Sequence, residues 1–291
     1  MTRTNWYVPF SWIMVGLSFL LSLIVCPLLG VAGPSMIFFS AVPLVLVHGY
    51  RRYGFKKNSL FIGLIVIFST LWETLSIHTG FPFGHYHYTM QPQFPGGVPV
   101  ILPVAYIALS YICWHVANAI LGEIDIRLNK VSTAFVMATL ASVVMTVYDL
   151  ATDSLASTIN HSWIWEQGGA FFGVPVSNYF GWMFCTFTFY ILFSFLLRQK
   201  KESEKMVNSD RLSLLQFVLI YANLGLTVLV ANFTRGGFGS GTVIDQAGIV
   251  WNRGAMGGTL SLVAIFGMFV LVFMAFINLC RANAEHCAKS D

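Results

Sequence analysis

The segment LFIGLIVIFSTLWETL, residues 60–75, decides the fold class of this chain. It is apolar apart from short hydroxyl side chains and one carboxylate, Glu73, which lies near its end. A carboxylate inside hydrocarbon is costly, so such a residue usually faces the interior of a helix bundle and marks a working site. The segment therefore predicts a membrane-spanning helix, and Glu73 is the first candidate for a catalytic residue.

The composition extends this interpretation to the whole chain. Of its 291 residues 56% are hydrophobic and only 10% are charged, and several apolar runs are long enough to cross a bilayer. We therefore predict an all-α, polytopic integral membrane bundle that forms a single transmembrane domain over residues 1–291. The eight predicted spans are residues 10–29, 36–48, 60–77, 98–121, 131–150, 177–197, 214–233 and 257–279.

The basic residues predict the orientation. Of the 16 Lys and Arg residues, 14 lie at the N-terminus, after spans two, four and six, or in the C-terminal tail, and only Arg235 and Arg253 lie on the other side. Because cytoplasmic loops carry the excess of Lys and Arg, both termini are expected in the cytoplasm of a multi-pass protein of the cell (inner) membrane. These charges are spread over short loops, which argues against a nucleic-acid surface.

The five cysteines show no paired spacing, so neither a disulfide framework nor a zinc site is expected.

Three carboxylates are predicted to lie at the same depth. Asp149 and Asp153 come at the outer end of span five, and a spacing of four places them on one helix face. Glu73 lies near the outer end of span three. The loops at residues 78–97 and 154–173 are on the same side, so the predicted site is at the outer leaflet.

Both of these loops end in Gly-Val-Pro-Val, at residues 97–100 and 173–176. Proline is well tolerated in the first turn of a helix, where its missing N–H needs no partner. We predict a helix start at each site. The repeated element also fits an internal duplication of spans three and four in spans five and six.

Two stretches with rare residues in a fixed order carry a family resemblance. The first is GFPFGHYHYT at residues 80–89, followed by Gly97-Val98-Pro99. The second consists of DLATD at residues 149–153, WIWE at residues 163–166 and GAFFGVPVSNYFGW at residues 169–182. Together they resemble the signature regions of the CruF-type carotenoid hydratases, over residues 73–182. The chain departs from that pattern at residues 90–93, 103–106 and 153–154, which leaves the exact substrate open.

The resemblance implies addition of water to the terminal C=C of a linear or monocyclic carotenoid, giving a tertiary alcohol without a cofactor. An unactivated alkene is protonated only by a strong, positioned acid. Clustered carboxyl groups in a low-dielectric site retain a proton, which they can donate to the alkene. Aromatic faces stabilise a carbocation. The expected catalytic residues are Asp149 and Asp153 as the acid pair, Glu73 as a second donor or water-orienting base, and His85, His87 and Glu166 as a proton relay. The expected substrate-binding residues are Trp72, Phe83, Tyr86, Tyr88, Trp163 and Trp165.

Two other functions fit parts of the sequence. A metal-dependent membrane oxygenase or desaturase is suggested by residues of the types that ligate non-haem iron: Glu73, His78, His85, His87, Asp149 and Asp153. Such an enzyme would normally also show histidine pairs at helical spacing, which are missing from the sequence. A non-enzymatic isoprenoid or lipid carrier would use glycine-rich loops to line a path. The aromatic residues also fit an interfacial belt, and Glu73 fits an interhelical hydrogen bond. The glycine-rich loop at residues 234–256 is expected to be a lid and is given no chemical role.

Overall fold

The computed structural model describes residues 6–29, 33–198, 210–234 and 237–287. The helices are α1 (Tyr7–Leu20), α2 (Cys26–Leu29), α3 (Gly33–Thr79), α4 (Leu102–Ile120), α5 (Val131–Ser154), α6 (Val176–Arg198), α7 (Arg211–Val230), α8 (Arg253–Val263) and α9 (Phe269–Cys287). Wider π-helical turns at Leu21–Val25, Leu155–Ile159 and Ala264–Met268 continue α1, α5 and α8. Seven helical segments of the described residues are long and apolar enough to cross a membrane, so the chain is an all-helical polytopic membrane protein.

The longest helix, α3, contains two crossings. Gly54 interrupts it with φ 76° and ψ 167°, a backbone conformation that only glycine adopts easily. Tyr111 contacts residues on both sides of this break: its hydroxyl lies 2.7 Å from His48 Nδ1, and its ring centroid lies 6.0 Å from that of Phe61. In one straight helix, positions 48 and 61 would be about 20 Å apart. The chain therefore folds back at Gly54, and the two arms, residues 33–53 and 55–79, are the predicted spans two and three.

The ends of several helices differ from the prediction. Helix α4 begins at Leu102, and Pro103 rather than Pro99 occupies its first turn. The prediction of a helix start at Gly97 was therefore wrong, whereas α6 does begin at Val176, directly after Pro175. Helix α5 extends beyond the predicted end at residue 150, so Asp153 lies within the helix and not in the loop that follows.

The basic turns and both ends of the described chain lie at one end of the bundle. Near the start of α1, the Tyr7 hydroxyl lies 2.7 Å from Ser213 at the start of α7. Near the end of α9, the Asn278 amide donates to the carbonyl of Ile120 at the end of α4. This arrangement agrees with the prediction that both termini share one side.

Helix α4 lies at the centre of the bundle and packs against α3, α5, α7 and α9. Nearly all of its side chains from Ala108 onward are buried, including Trp114 and Tyr111. The surrounding core is rich in stacked aromatic rings, such as Phe61 against Phe193 at a centroid distance of 3.9 Å. The central position fixes both ends of α4, one of which contributes to the site described below.

Two short antiparallel ribbons lie at the other end of the bundle. Strand β1 (Tyr86–Tyr88) pairs with β2 (Trp163–Trp165), and β3 (Thr242–Ile244) pairs with β4 (Val250–Asn252). In the first ribbon Tyr86 is opposite Trp165 and Tyr88 is opposite Trp163. This aromatic ribbon, β1 with β2, connects the loop after α3 to the loop after α5.

Candidate active site

Glu73 is a buried carboxylate surrounded by phenols. It lies in the second arm of α3, is 3% exposed, and accepts hydrogen bonds from three tyrosine hydroxyls. Tyr106 donates to Oε1 at 2.6 Å, while Tyr88, at 3.0 Å, and Tyr86 donate to Oε2. Burial, and then the charge of Glu73, raises the pKa of Tyr86 and Tyr88 well above the usual range for tyrosine. Both phenols therefore stay protonated and act as donors.

Asp149 and Asp153 form a pair that is bridged by one amide. Their four-residue spacing places them on one face of α5, and both are buried. The side-chain nitrogen of Asn178, in the first turn of α6, donates to Asp149 Oδ2 at 2.8 Å and to Asp153 Oδ2 at 2.6 Å. The bridge holds the two carboxyl groups beside each other.

The aromatic ribbon connects the two acidic groups. Side chains alternate between the faces of a strand, so Tyr86 and Tyr88 point to the same side as their partners Trp165 and Trp163. The tyrosines donate to Glu73, and the indole nitrogens of Trp163 and Trp165 lie 3.1 and 3.4 Å from Asp153 Oδ1. The rings of Tyr86 and Trp165 contact each other at a centroid distance of 4.8 Å.

All three acids line one cavity of about 260 Å³. Of the residues expected to bind substrate, the cavity lining includes Phe83, Tyr86, Tyr88, Trp163 and Trp165. Away from the acids the lining is mainly apolar and includes Phe38, Leu102 and Val228. A mainly apolar cavity with a few converging polar groups is typical of a binding site for a small or extended apolar ligand.

The position of Phe83 depends on a glycine in α6. A Cβ atom at Gly181 would lie 2.6 Å from the Phe83 ring, so the absence of a side chain there makes room for it. Ser177 Oγ also donates to the Phe83 carbonyl at 2.8 Å. The loop after α3 is thereby held against the start of α6.

Four of the predicted site residues lie away from the cavity. Trp72 is not part of the cavity lining, and its indole donates to Thr188 of α6 at 3.2 Å. His87 alternates with the inward tyrosines and is exposed, with its Nδ1 3.3 Å from Glu166, which is also exposed. His85 is exposed and lies against Gly80. The structure does not bring these four residues to the carboxyl groups.

Two residues of the site were not among the predicted ones. Tyr106 hydrogen-bonds Glu73 and stacks on Trp182 at a centroid distance of 5.2 Å. Asn178 bridges the aspartates. Each is a polar side chain in an apolar helix, a few positions after a Gly-Val-Pro-Val element. That position was the feature of the sequence by which they could have been recognised as site residues.

Charged residues of the loop at residues 234–256, to which no chemical role was given, have structural partners. Asp245 accepts hydrogen bonds from the backbone of Ala247 and Ile249 and from the Trp251 indole. Arg253 donates to the carbonyls of the preceding glycine-rich loop, and Arg235 lies outside the described residues. Within the described part of the chain there is no group of three or more His, Cys, Asp or Glu side chains that could hold a metal ion.

Comparison with known proteins places this site inside a matched region. A family model described as "Carotenoid biosynthesis protein" matches residues 32–244. The bisanhydrobacterioruberin hydratase of Haloarcula japonica is 30% identical over 218 residues, which are 72% of this chain and 68% of that relative. No solved structure matches the chain. Glu73, Asp149 and Asp153 all lie within the range of the family model.

Proposed function

We propose that this chain, which belongs to the carotenoid biosynthesis protein family, adds water to the terminal C=C of a linear carotenoid end. The observation that carries the proposal is that an amide-bridged aspartate pair and a tyrosine-bound glutamate line the same apolar cavity. Such a cavity suits an apolar polyene, and its acids suit protonation of an alkene.

The proposed reaction has two steps and no net redox change. A carboxyl proton forms a new C–H bond at the less substituted alkene carbon, using the π electrons, and leaves a tertiary carbocation on the neighbouring carbon. The oxygen of a water molecule then bonds to the cation, and the released proton returns to a carboxylate. The product is a tertiary alcohol. The starting protonation state returns when the proton taken up by the accepting carboxylate passes to the carboxylate that supplied the first proton.

The hydrogen bonds suggest which carboxyl group is the donor. Asp153 accepts from Asn178, Trp163 and Trp165, and donors of this kind favour the ionised form. Among the described residues, Asp149 accepts only from Asn178, which leaves its Oδ1 available to carry a proton. Two adjacent carboxyl groups do not both ionise readily. We therefore assign the proton donor role to Asp149 and the anionic role to Asp153.

Glu73 suits the second half of the reaction. Three phenol donors favour its carboxylate form, so it is better suited to accept a proton from water than to supply one to carbon. Its charge would also stabilise the cation across the cavity. The faces of Trp163, Trp165, Tyr86 and Tyr88 add attraction of about 0.5 to 2 kcal/mol each to a nearby cation.

The reaction would take place within the membrane. We place the protein in the cell membrane, with the basic end of the bundle in the cytoplasm and the cavity in the outer half of the bilayer. A carotenoid dissolved in the membrane would then reach the acids without leaving the hydrocarbon phase. Beyond the carotenoid, water and the surrounding lipid, the proposal requires no partner.

The test is expression of the chain in a host that accumulates a linear carotenoid, followed by mass spectrometry of the extracted pigment. We expect a product heavier by one water, and far less of it from Asp149→Asn. Pigment returned unchanged by the folded wild-type protein would indicate a carrier. A gain of oxygen alone, or loss of activity with a chelator, would favour an oxygenase. A result that indicates a carrier or an oxygenase would overturn the proposal.

A further inference from the structure

The cavity has two chemically different rims. Two of its exposed lining residues are apolar: Phe39, in the first arm of α3, and Ile101, just before α4, are 48% and 41% exposed. On other segments of the chain the lining includes polar residues: Asn160, which is exposed, with Ser162 and Thr234, which are half-buried. An apolar rim suits entry from lipid, and a polar rim suits entry of water.

The polar rim is built directly onto the helix that carries the aspartate pair. The π-helical turn Leu155–Ile159 follows Asp153 closely and ends at Asn160, whose backbone N–H donates to Leu155 at 3.0 Å. Asn160 is seven positions beyond Asp153, or about 10 Å along a helix axis. Its side chain makes no hydrogen bond to a described residue, so its amide is available to water. π-Helical turns of this kind are frequent at functional sites.

We propose that Asn160, Ser162 and Thr234 form the route by which water reaches the cation, separate from the apolar rim that admits the carotenoid. This inference rests on the proposed hydratase function. Water that arrives beside Asp153 and Asn160 meets the cation while the polyene blocks the lipid side. When water does not arrive, the cation can only lose a proton to a carboxylate, from the carbon just protonated or from a neighbouring carbon, and become an alkene again.

The polar rim would therefore control how the cation partitions between alcohol and alkene. Deuterium reports both outcomes, because protein equilibrated in D₂O transfers a deuteron to carbon in the first step. Hydrated product carries this deuterium, and so does part of the alkene that forms when the step reverses. The ratio of alcohol to deuterated alkene measures water capture independently of how fast the cation forms.

The experiment compares Asn160→Leu and Thr234→Val with wild type and with Gln167→Leu. Gln167 is exposed in the same loop but does not line the cavity, so Gln167→Leu is a matched amide-to-alkyl control. We expect the alcohol-to-deuterated-alkene ratio to fall by about tenfold or more in the two rim variants, because excluding water prevents hydrolysis of a reactive intermediate. The ratio should stay at the wild-type value in Gln167→Leu.

The possible results separate the two proposals. Rim variants that keep the wild-type ratio would overturn the water route and leave the hydratase function intact. A wild-type protein that yields neither alcohol nor deuterated carotenoid would overturn the hydratase function itself. The two variants lie on different segments of the chain, so one that fails to fold leaves the other as the test.

Discussion

The hydroxyl of Tyr106 donates a 2.6 Å hydrogen bond to the carboxyl of Glu73, joining the first part of the central helix α4 to the second arm of α3. Both residues are buried and line the cavity. The bond fixes the orientation of a carboxylate whose other oxygen is held by Tyr86 and Tyr88. Glu73 is therefore positioned from two separate parts of the chain.

Tyr106→Phe should lower hydration by about ten- to a hundredfold, because Glu73 loses a donor that stabilises its charge, at a cost of about 1.5 to 3 kcal/mol. The ring should still stack on Trp182. Turnover of a linear carotenoid in detergent or liposomes measures the effect. Tyr190→Phe is the matched control, since it removes an equally buried hydroxyl bonded to the Ser110 carbonyl, outside the cavity. Equal losses of activity in both variants would contradict a specific role for Tyr106.

Asp149→Asn and Asp153→Asn should each lower the hydration rate by about 10² to 10⁴, the usual contribution of a positioned acid or base. Under the assigned roles, Asp149→Asn should also lower transfer of deuterium to carbon by the same factor, since it removes the donor. Product formation and deuterium content are both read by mass spectrometry. Asp210→Asn, a change of the same kind at the opposite end of the bundle, should leave the rate at neutral pH unchanged. If Asp149→Asn hydrated the carotenoid at the wild-type rate, Asp149 could not be the acid.

The fold-back at Gly54 predicts a large difference between two glycine substitutions. Gly54→Ala should destabilise the protein by about 1 to 3 kcal/mol, since a side chain at this φ and ψ is strained although space for a Cβ is open. Gly63→Ala, in the regular part of the same helix and also with open space, should be neutral or stabilising by about 0.4 to 1 kcal/mol. Thermal unfolding in one detergent compares them. A Gly54→Ala variant as stable as Gly63→Ala would show that the break does not require glycine.

Asp210 should make stability depend on pH in the acid range. Burial raises the pKa of its carboxyl, but hydrogen bonds from His48 and Ser213 outweigh burial and lower the pKa to about 2. Because the pKa of Asp210 is lower in the folded state than in the unfolded state, its ionised form stabilises the folded protein at any pH above the unfolded-state pKa. This stability is lost as the pH falls from about 4 to about 2. Asp210→Asn keeps a capping side chain at the start of α7 but removes the charge. Its melting temperature should therefore fall less than that of wild type over this range. Identical pH profiles of the two proteins would contradict the assignment.

The parts of the site that local geometry determines were predictable from the sequence. A spacing of four places Asp149 and Asp153 on one helix face wherever the helix lies, and hydropathy predicts the spans that bring Glu73 to the same depth. The fold-back in α3 was also predictable, because the basic residues around Gly54 separate two apolar runs.

The remaining parts depend on contacts between distant segments. Whether Tyr86 or His87 faces the cavity depends on the pairing of two strands about 75 positions apart, which no local pattern specifies. Tyr106 and Asn178 become important only through partners on other helices. The extension of α5 through Ser154 depends in the same way on its packing against α6.

The aromatic ribbon affects how the protein would behave in different membranes. Helices tilt when the thickness of the lipid changes, and a gap between two side chains on separate helices would normally change with them. Here β1 carries two of the three donors to Glu73 and β2 carries two of the three donors to Asp153, so paired backbone links the two carboxyl groups. The spacing of the acids should therefore stay nearly constant between thin and thick bilayers, while the outer surfaces of the helices adapt to the lipid.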